Sequence, residues 1–548
     1  MPQFDIVVVG GGVSGGLPAA AYLQKAGARV CLIEARHELG TFIPTHEIWP
    51  EVLTSPHAAI NFSAASPAIE DLNLPKYGYE LRFSPVIFGV TDRNGKNALV
   101  YYDAYQTAKN FAKHSARDGR TIEEAQSQLP KVLTTMNELL FFSPHPDADK
   151  FEKALEVSAA MAKMDVSQLM EMSGAELVES MFESDAVRRV FMTLPALHLQ
   201  GDPMARGQGA ASILWSLFYT AAIAKGGNFS LVNALERCFV EHGGTILRNA
   251  PVDRILVRKG RATGVVLSKD AVFPGKRIDA RKAVISNLSA KKTLEVIGQD
   301  TMMEADPKLA MKMKYWKSSG RASTVHKWIM KGHPKWKSAT FDSNIQKALL
   351  FYRAWDSWDD FFKWEIAVRK SDNRAAMGGM GEILDYSAVD PAQASPEGYV
   401  NVRCEHALSF WWRGEDGVAH WDRVRDEVAE FERDLFEELA PGFKGQIVDE
   451  VVTTPLDIWR YNQVAYYGQV LGGDFTEDQW IMDRMPYRMP IDGLYMSNGV
   501  WPLALSWMAP GYNAATVVAE DLGIRKQPWW THRPGQWFLN NLDKFTVK

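Results

Sequence analysis

The sequence has few cysteines and no recognisable metal-binding motif. Its three cysteines, Cys31, Cys238 and Cys404, lie far apart and form no CxxC pair. This spacing argues against a dithiol redox centre and against a cysteine zinc site. The twelve histidines show no HExxH or comparable spacing, so we expect no metal ligands. Such sparse use of cysteine fits a reducing, intracellular compartment.

Long apolar segments and an excess of charge of one sign are also missing. The longest apolar run, residues 210–224, is shorter than the roughly 20 residues that a membrane-spanning helix needs. We interpret it as a buried helix, and a tunnel wall or a contact with a bilayer surface is the alternative. Only Met1–Gln3 precede the first predicted strand, so we expect no signal peptide. These features predict a cytoplasmic protein and leave association with a membrane open.

Charge gives no indication of a nucleic-acid partner. The formal net charge is −5, and the 61 basic residues are scattered along the chain rather than concentrated in one stripe. The length of 548 residues is enough for three or four ordinary domains or for two large ones. We therefore expect a large globular protein that binds a small molecule.

The N-terminal segment has the pattern of a βαβ unit. Phe4–Val9 is short, apolar and β-branched, which predicts a buried parallel strand. The glycine-rich segment Gly10–Gly16 follows, and Leu17–Ala26 then predicts a helix. A second predicted strand, Ala28–Ile33, ends directly before Glu34. Strand, glycine turn, helix, strand and acid in this order indicate a dinucleotide-binding unit.

Each conspicuous residue of this unit has a physical role in holding a dinucleotide. Gly10 permits the tight turn, Gly12 lets the backbone approach a pyrophosphate, and Gly15 lets the helix pack close to the strand. The helix N-terminus offers free N–H groups and partial positive charge to the phosphates. Glu34 is placed to accept hydrogen bonds from the ribose hydroxyls. The same predicted site includes Val13, Ser14, Ala35 and Arg36.

The carboxylate of Glu34 would repel the 2′-phosphate of NADP, which argues against that cofactor. Two further observations favour FAD over a nicotinamide dinucleotide. No second GxGxxG unit follows along the chain. A late strand–loop–helix segment, from Gly493 to the helix Tyr512–Leu522, is suited to place a second helix N-terminus against a flavin. The residues predicted to contact FAD outside the N-terminal unit are Val252, Asn498, Gly499, Gly511, Tyr512 and Asn513.

The middle of the chain carries a further ordered block of elements. A helix is predicted at Ser230–His242, and a hairpin is predicted from Val252–Arg258 and Ala262–Leu267. The strand Arg281–Asn287 follows. This order, the N-terminal unit and the segment 456–495 resemble the phytoene-desaturase-like flavoproteins of the amine-oxidase superfamily. The resemblance extends from Asp5 to about Leu522.

The resemblance implies an α/β fold in which a Rossmann-like FAD-binding domain is interleaved with an α+β substrate domain. Residues 1–80, 225–300 and 455–525 would form the FAD-binding domain. Residues 81–224 and 301–454 would form the substrate domain, and 526–548 would be an aromatic C-terminal tail. We expect this tail to pack on the body of the chain or on a neighbouring subunit, which leaves a homo-oligomer open.

The sequence departs from the resemblance beside the expected flavin. Trp501 and Trp507 stand where many relatives have small residues, so both are predicted to shape the substrate pocket. Tyr352, which belongs to an aromatic cluster, is predicted to line the same pocket. A full-length carotenoid would not fit, and we expect a compact substrate. The alternative is that these rings pack into the protein interior.

One residue is a candidate for acid–base chemistry. Alternation along the predicted strand Tyr399–Leu408 places His406 on an apolar face and Arg403 and Glu405 on the other. If the apolar face lines the substrate cavity, His406 serves as a base or a polar anchor. The alternative is a histidine of the protein core.

Together these features predict an FAD-dependent dehydrogenase or desaturase. Hydride would pass from a hydrophobic substrate, aromatic or isoprenoid-like, to the flavin. Because no second nucleotide domain is predicted, oxygen or a quinone would reoxidise the flavin. A flavin amine oxidase, a redox-neutral isomerase and a non-catalytic binder of hydrophobic ligands are the alternatives.

Overall fold

The computed structural model describes residues 3–40, 43–55, 57–58, 60–145, 147–193, 195–196, 202–207, 219–318, 321–414, 420–504 and 506–545. Most of the apolar run 210–224 lies outside the described residues. Its described end contains the short strand Ile223–Ala224 instead of a helix.

The described strands are β1 (Phe4–Val9), β2 (Val30–Ile33), β3 (His46–Trp49), β4 (Val52–Thr54), β5 (Leu81–Arg82), β6 (Val86–Thr91), β7 (Asn97–Tyr101), β8 (Ile223–Ala224), β9 (Thr245–Leu247), β10 (Val252–Arg258), β11 (Arg261–Leu267), β12 (Arg277–Ser286), β13 (Arg321–Lys331), β14 (Phe351–Ala354), β15 (Met380–Asp385), β16 (Tyr399–Ser409), β17 (Ile447–Thr453) and β18 (Leu494–Met496).

The described α-helices are α1 (Gly16–Lys25), α2 (Ala68–Asp71), α3 (Ala104–Phe111), α4 (Ala116–Ser127), α5 (Leu129–Met136), α6 (Ala148–Met161), α7 (Val166–Glu171), α8 (Gly174–Met181), α9 (Asp185–Thr193), α10 (Phe229–Glu241), α11 (Ala290–Ile297), α12 (Gln299–Ala305), α13 (Pro307–Lys314), α14 (Trp358–Arg369), α15 (Asn373–Ala376), α16 (Tyr386–Val389), α17 (His420–Leu439), α18 (Phe443–Gln446), α19 (Pro455–Tyr461), α20 (Ala509–Asp521) and α21 (Gln536–Asn541).

The first sheet contains the N-terminal βαβ unit. Its order is β10-β11-β12-β1-β2-β9, and β18 also pairs with β12. The strands β9, β2, β1, β12 and β18 are parallel, whereas β10 and β11 form an antiparallel hairpin. All six residues of β1 are buried, because helices cover both faces of such a sheet. The predicted α/β fold with a Rossmann-like unit is confirmed.

The second sheet is mainly antiparallel and supplies the opposite side of the molecule. Its order is β17-β13-β16-β15-β14-β6-β7, with a parallel pair between β14 and β6. Helix α17 covers one face, where Trp328 and Cys404 pack with Leu435 and Phe436 in a buried apolar cluster. The other face of β15 and β16 points into a cavity that lies between the two sheets.

Both sheets draw strands from separated parts of the chain. The first sheet uses residues 4–33, 245–286 and 494–496, and the second uses residues 86–101 and 321–453. The exact limits of the two predicted domains stay a prediction. None of the described helices combines the length and the apolarity that a membrane span requires.

The described part of the C-terminal tail packs on its own chain. Trp530 is buried, and its ring centroid lies 4.6 Å from that of Tyr22 in α1. Nδ1 of His532 lies 2.7 Å from Oδ1 of Asp71, and the Gly535 N–H donates to the carbonyl of Ala65. The tail therefore covers the outer side of α1 and α2.

Candidate active site

The glycine turn brings α1 unusually close to the strands. Gly10 has a φ of +95°, which favours glycine. A Cβ at Gly15 would lie 2.1 Å from the side-chain oxygen of Asn287 and 2.4 Å from the carbonyl oxygen of Ser497. A Cβ at Gly16 would lie 1.8 Å from the carbonyl oxygen of Gly10. These glycines therefore let α1 pack closely against the glycine turn and against the segment after β18.

Glu34 is held at the end of β2 by backbone hydrogen bonds. The N–H of Gly11 donates to Oε2 at 2.8 Å, and the N–H of Arg36 donates to Oε1 at 2.9 Å. Burial raises the pKa of the Glu34 carboxyl, and these backbone donors oppose the shift. The carboxyl group is therefore fixed beside the glycine turn, where the sequence predicts that it meets a ribose.

The neighbouring predicted residues have different environments. The guanidinium of Arg36 lies 3.7 Å from the ring centroid of Tyr461 and donates to its carbonyl, so Arg36 ties β2 to α19. Ala35 is exposed, and Val252 is half-buried at the start of β10. Neither is among the residues that line the main cavity, so their predicted contacts with FAD stay predictions.

The main cavity begins at the glycine turn and reaches the second sheet. Its empty volume is about 1120 Å³, which includes open solvent at its mouth. One wall consists of residues from the turn and from the segment after β18, and the far wall consists of residues from 43–62, β15, β16 and 462–471. The predicted residues on the lining are Gly12, Val13, Ser14, Gly15, Asn498, Gly499 and Trp507.

Three predicted residues of the late helix position the wall rather than line it. The N–H of Gly511 donates to the carbonyl of Ser14 at 2.9 Å, so α20 packs directly on the glycine turn. The ring of Tyr512 makes an edge contact with Tyr22, and the Asn513 amide donates to the carbonyl of Phe141. The contacts with FAD that were predicted for these three residues stay predictions.

Sequence reasoning missed Asn287, which lies between the turn and the late segment. It follows β12 directly and lines the cavity. The Asn498 amide donates to its carbonyl at 3.2 Å. A signal was available, because ligands of parallel sheets bind beyond the carboxyl ends of the strands, and Asn287 stands at such an end.

The two tryptophans have different surroundings. Trp507 lines the cavity, and its role in shaping the substrate pocket stays a prediction. Trp501 instead packs in the interior, where its indole N–H donates to the carbonyl of Leu140 at 3.0 Å and its ring stacks on Phe475. The prediction that Trp501 shapes the pocket is therefore replaced by the packing alternative, because Trp501 faces the helical segment that contains Leu140.

Tyr352 lies behind the cavity wall. It is fully buried, is not among the lining residues, and donates to Glu382 at 3.5 Å. Tyr352 was predicted to form part of the pocket wall. It instead supports Glu382, which does line the cavity.

His406 lies on the face of β16 that points away from the cavity. Its Nδ1 lies 2.5 Å from Oε1 of Glu432 in α17, and Glu432 also bonds His326 at 2.8 Å. His406 is 2% exposed and is not among the lining residues. The alternation of the two faces along the strand was predicted, but the cavity lies on the face that carries Glu405 and not on the face that carries His406. We therefore replace His406 as the catalytic candidate.

The cavity-facing side of the second sheet carries three ionisable residues that the sequence analysis did not select. They are Glu382 on β15, Glu405 on β16 and His57 on the loop after β4. Nε2 of His57 lies 3.8 Å from Oε1 of Glu405. Burial lowers the pKa of His57 to about 4, Glu405 opposes the shift, and the charge of Arg403 adds to it. The imidazole is therefore neutral at pH 7.

The glycine turn and cavity fit FAD. Side chains at Gly15 and Gly16 would fill the close approach between the turn and its neighbours, as the distances above show. Glu34 is fixed at the adjacent strand end, and the cavity continues from the turn to the second sheet. Gly12, Val13, Ser14, Gly15 and Glu34 are the residues that would hold the ADP half.

Curated relatives match nearly the whole chain. A limonene dehydrogenase subunit of Castellaniella defragrans is 22% identical, with 96% of each chain covered. Pyridine nucleotide-disulfide oxidoreductase domain-containing protein 2 of Mus musculus is 24% identical over 95% of this chain and 94% of its own. The 4,4'-diaponeurosporene oxygenase of Staphylococcus aureus is 24% identical over 85% of this chain and 88% of its own.

Solved structures show the same fold. An oxidoreductase from Methanosarcina mazei matches 94% of this chain and 99% of its own, with a TM-score of 0.59 and 15% identity. A redesigned triple mutant of putrescine oxidase matches 96% of this chain and 99% of its own, with a TM-score of 0.59 and 14% identity. At such low identity these matches establish the fold.

The family model described as FAD dependent oxidoreductase matches residues 5–309, which is more than half of the chain. The predictions of FAD as cofactor and of an FAD-dependent oxidoreductase are confirmed, and the resemblance to desaturase-like flavoproteins agrees with the relatives named above. The chain belongs to the FAD-dependent oxidoreductase family.

Proposed function

We propose that the protein dehydrogenates a compact hydrophobic molecule that binds in the main cavity. The observation that carries this proposal is the position of the cavity, which runs from the glycine turn to the second sheet. A substrate that enters the part beyond the turn meets mostly apolar walls. These walls include Ile43, Ala58, Ile60, Phe62, Val464, Val470, Leu471, Val500 and Trp507.

Burial of apolar surface provides the affinity for such a substrate. Apolar contact contributes roughly 25 cal/mol per Å² removed from water, so small hydrocarbon surfaces suffice for measurable binding. Trp507 lines the cavity, and we propose that its indole ring limits the length of a bound molecule. A compact skeleton is thus favoured over a full-length carotenoid.

The name of one relative, a limonene dehydrogenase subunit, supports the same reaction class. Limonene, the compound in the name of one relative, is a compact isoprenoid hydrocarbon, whereas diaponeurosporene in another is an extended polyene. The cavity of this chain, with Trp507 in its wall, favours the compact type. An aromatic molecule of similar size fits the same description.

Bound FAD supplies a ring that accepts hydride from the substrate. The protein's own residues bind the cofactor at the glycine turn, orient the substrate on the apolar walls and exclude water. We propose oxygen or a quinone as the final electron acceptor, because the sequence contains no second dinucleotide-binding motif. A peripheral contact with a membrane is a further proposal, which agrees with an apolar substrate, and a homo-oligomer stays a proposal.

The test uses the purified full-length protein with its bound cofactor. Its visible spectrum should show flavin, and anaerobic mixing with a panel of compact terpenes, aromatic alcohols and amines should bleach that spectrum with one class. Subsequent admission of oxygen or of a soluble quinone identifies the acceptor. Bleaching by amines alone, with hydrogen peroxide formed on reoxidation, would replace the proposal with an amine oxidase. Conversion of a compound with no net flavin reduction would indicate an isomerase.

A matched control variant tests whether flavin bleaching depends on the residues of the cavity. Asp253→Asn changes an exposed residue on β10 that is not among the lining residues, and should bleach like the wild type. Retention of flavin with no bleaching by any member of the panel would contradict the proposed reaction.

A further inference from the structure

A second cavity adjoins the main one at the start of helix α11. Its empty volume is about 390 Å³, which includes open solvent, and Ser289, Lys291 and Ser318 are among its lining residues. Four residues line both cavities, namely Asn462, Val464, Val470 and Asn498. The described lining of the second cavity contains no residue of the glycine turn, so the site that would hold the ADP half of FAD lies elsewhere.

The N-terminus of α11 contributes partial positive charge to the second cavity. The Oγ of Ser289 caps this helix and accepts a hydrogen bond from the N–H of Lys292 at 3.3 Å. The first turn of a helix has backbone N–H groups without intrahelical partners and carries partial positive charge. Since Ser289 and Lys291 both line the cavity, this positive end is at its wall. A helix N-terminus favours anions, but it does not by itself define a site.

Lys291 adds a full positive charge at the same wall. Its Nζ lies 5.5 Å from the ring centroid of Tyr466, which also lines the second cavity. In the described part of the chain Lys291 forms no ion pair, whereas the neighbouring Lys292 pairs with Glu295 at 2.8 Å. Glu295 also accepts a hydrogen bond from the Tyr466 hydroxyl at 3.0 Å and is not among the lining residues. The ammonium group of Lys291 is therefore not neutralised by a direct ion pair.

Ser318 provides a separate indication that this cavity binds a ligand. It lines the second cavity and is 6% exposed, and its Oγ hydrogen-bonds to no described atom. Buried polar groups are almost always hydrogen-bonded, because a buried hydroxyl without a partner costs free energy. A ligand in the cavity would provide an acceptor for this hydroxyl. Oδ1 of Asn498 also lacks a partner, but Asn498 lines both cavities and does not single out the second.

A buried guanidinium behind the wall has the same sign of charge as Lys291. Arg484 is 5% exposed, donates to the carbonyl of Gly472 at 2.9 Å and lies 5.2 Å from the ring centroid of Trp316. Gly472 and Trp316 both line the second cavity. Burial lowers the pKa of Arg484 to about 9 and the charge of Asp474 opposes the shift, so the guanidinium is charged at pH 7. Positive charge therefore lies on two sides of the cavity.

We propose that the second cavity is a binding site for an oxyanion, either a carboxylate or a phosphate group. The ammonium group of Lys291 attracts the anion, the hydroxyl of Ser318 donates a hydrogen bond to it, and the start of α11 favours its charge. Oxyanions only accept in such contacts, which matches the donors present. This inference goes beyond the proposed dehydrogenation and does not depend on it, because the FAD-binding turn and the apolar walls of the main cavity are not used.

The test measures anion binding to the FAD-loaded, full-length protein by isothermal titration calorimetry. Inorganic phosphate represents a free inorganic anion, and benzoate represents the acid group of an organic molecule. Benzamide has the shape of benzoate without its charge, and sodium chloride keeps the ionic strength equal in all titrations. We expect phosphate, benzoate or both to bind at a single site per chain, and benzamide to bind about tenfold or more weakly than a benzoate that binds there. Which of the two anions binds identifies the source of the oxyanion.

Variants locate the bound anion. Lys291→Met should weaken its binding about tenfold or more, and Ser318→Ala should weaken it roughly two- to tenfold. Lys291→Arg keeps the charge and should retain most of the affinity. Lys314→Met is the matched control, because Lys314 lies 5.8 Å from the ring centroid of the exposed Tyr315 and is outside the lining. This control should bind the anion like the wild type.

Ser318→Ala also tests the structural alternative. Because the hydroxyl has no partner in the described chain, its loss should not lower the free energy of unfolding in urea when no anion is present. A lower free energy of unfolding would show that the hydroxyl serves the fold and would overturn its role in the site. The FAD content of each variant is measured alongside and should equal that of the wild type.

Three further results would overturn the oxyanion site. The first is that neither anion binds the FAD-loaded protein. The second is that benzamide binds as tightly as benzoate while phosphate does not bind. The third is that binding is unchanged in Lys291→Met and Ser318→Ala, or is weakened equally in Lys314→Met. The proposed function is judged separately from flavin bleaching, so that each proposal can fail without the other.

Discussion

The close packing of the glycine turn predicts a specific failure when Gly15 becomes alanine. Gly15 has a φ of −125° and a ψ of −75°, a combination outside the regions that alanine favours, so the substitution adds backbone strain to a lack of space. The added Cβ would lie 2.1 Å from the Asn287 side chain and 2.4 Å from the Ser497 carbonyl oxygen, whereas real Cβ contacts stay beyond 3.0 Å. Asn287 has a side chain that rotates, but the Ser497 oxygen belongs to the backbone.

The contact with the Ser497 backbone sets the size of the expected loss in stability and in FAD affinity. Relief of the clash requires α1 and the segment after β18 to separate by about 0.6 Å, and Ser497 is tied to Ser286 by a backbone hydrogen bond. Overpacking of this kind costs about 1–3 kcal/mol. If the same free energy is lost from FAD binding, the affinity falls by roughly 5- to 150-fold. Asn498 and Gly499 follow Ser497 directly and line the cavity, so a shift of Ser497 moves the cavity wall as well.

The assay measures FAD per chain after purification, together with the free energy of unfolding in urea. Gly15→Ala should lower both. Gly445→Ala is the matched control, because its Cβ would meet no atom within 4 Å and its φ is ordinary. Full FAD content and unchanged stability in Gly15→Ala would refute the packing argument, whereas equal losses in both variants would show a general effect of alanine.

Four further predictions concern other parts of the molecule. Glu34→Ala should weaken FAD binding by about 1.5–3 kcal/mol, measured by titration of the apoprotein, because a charged acceptor is lost; unchanged affinity would contradict its role. Trp507→Ala should change the affinity for hydrophobic probes at constant FAD content, whereas Trp501→Ala should lower thermal stability and leave those affinities unchanged. Burial alone would raise the pKa of Glu432, but the charge and hydrogen bonds of its two histidine partners lower it to about 2. Its stabilisation is therefore complete above about pH 4.5 and should be lost as the pH falls towards 2, so urea unfolding of Glu432→Gln should vary less over that range than that of the wild type. Burial opposes the charged form of His326, but its carboxylate partners raise its pKa, so its contribution is present below about pH 6.5 and is lost as the pH rises through the raised value.

The sequence by itself determined the elements whose pattern is local. The predicted strand Phe4–Val9 has the same limits in the structure, and the predicted hairpin matches β10 and β11 to within a residue. Apolar periodicity, glycine turns and the acid after β2 all act over a few residues, so they were readable without a partner. The cofactor followed from the same local order, and the family match agrees with it.

Tertiary structure decided which faces meet the cavity. Alternation along β16 separated His406 from Glu405, but only the packing of α17 against the His406 face showed that Glu405 points to the cavity. Trp501 and Trp507 are six positions apart with similar chemistry, and their contacts with distant segments alone distinguish them.

The grouping of His57, Glu382 and Glu405 on the lining of the cavity could not be predicted for the same reason. His57 lies more than three hundred residues before Glu382 and Glu405, and the tertiary fold brings the three together. Each is an ordinary residue in its local sequence. Their shared location arises from long-range strand register and packing, which a single sequence does not encode in any local pattern.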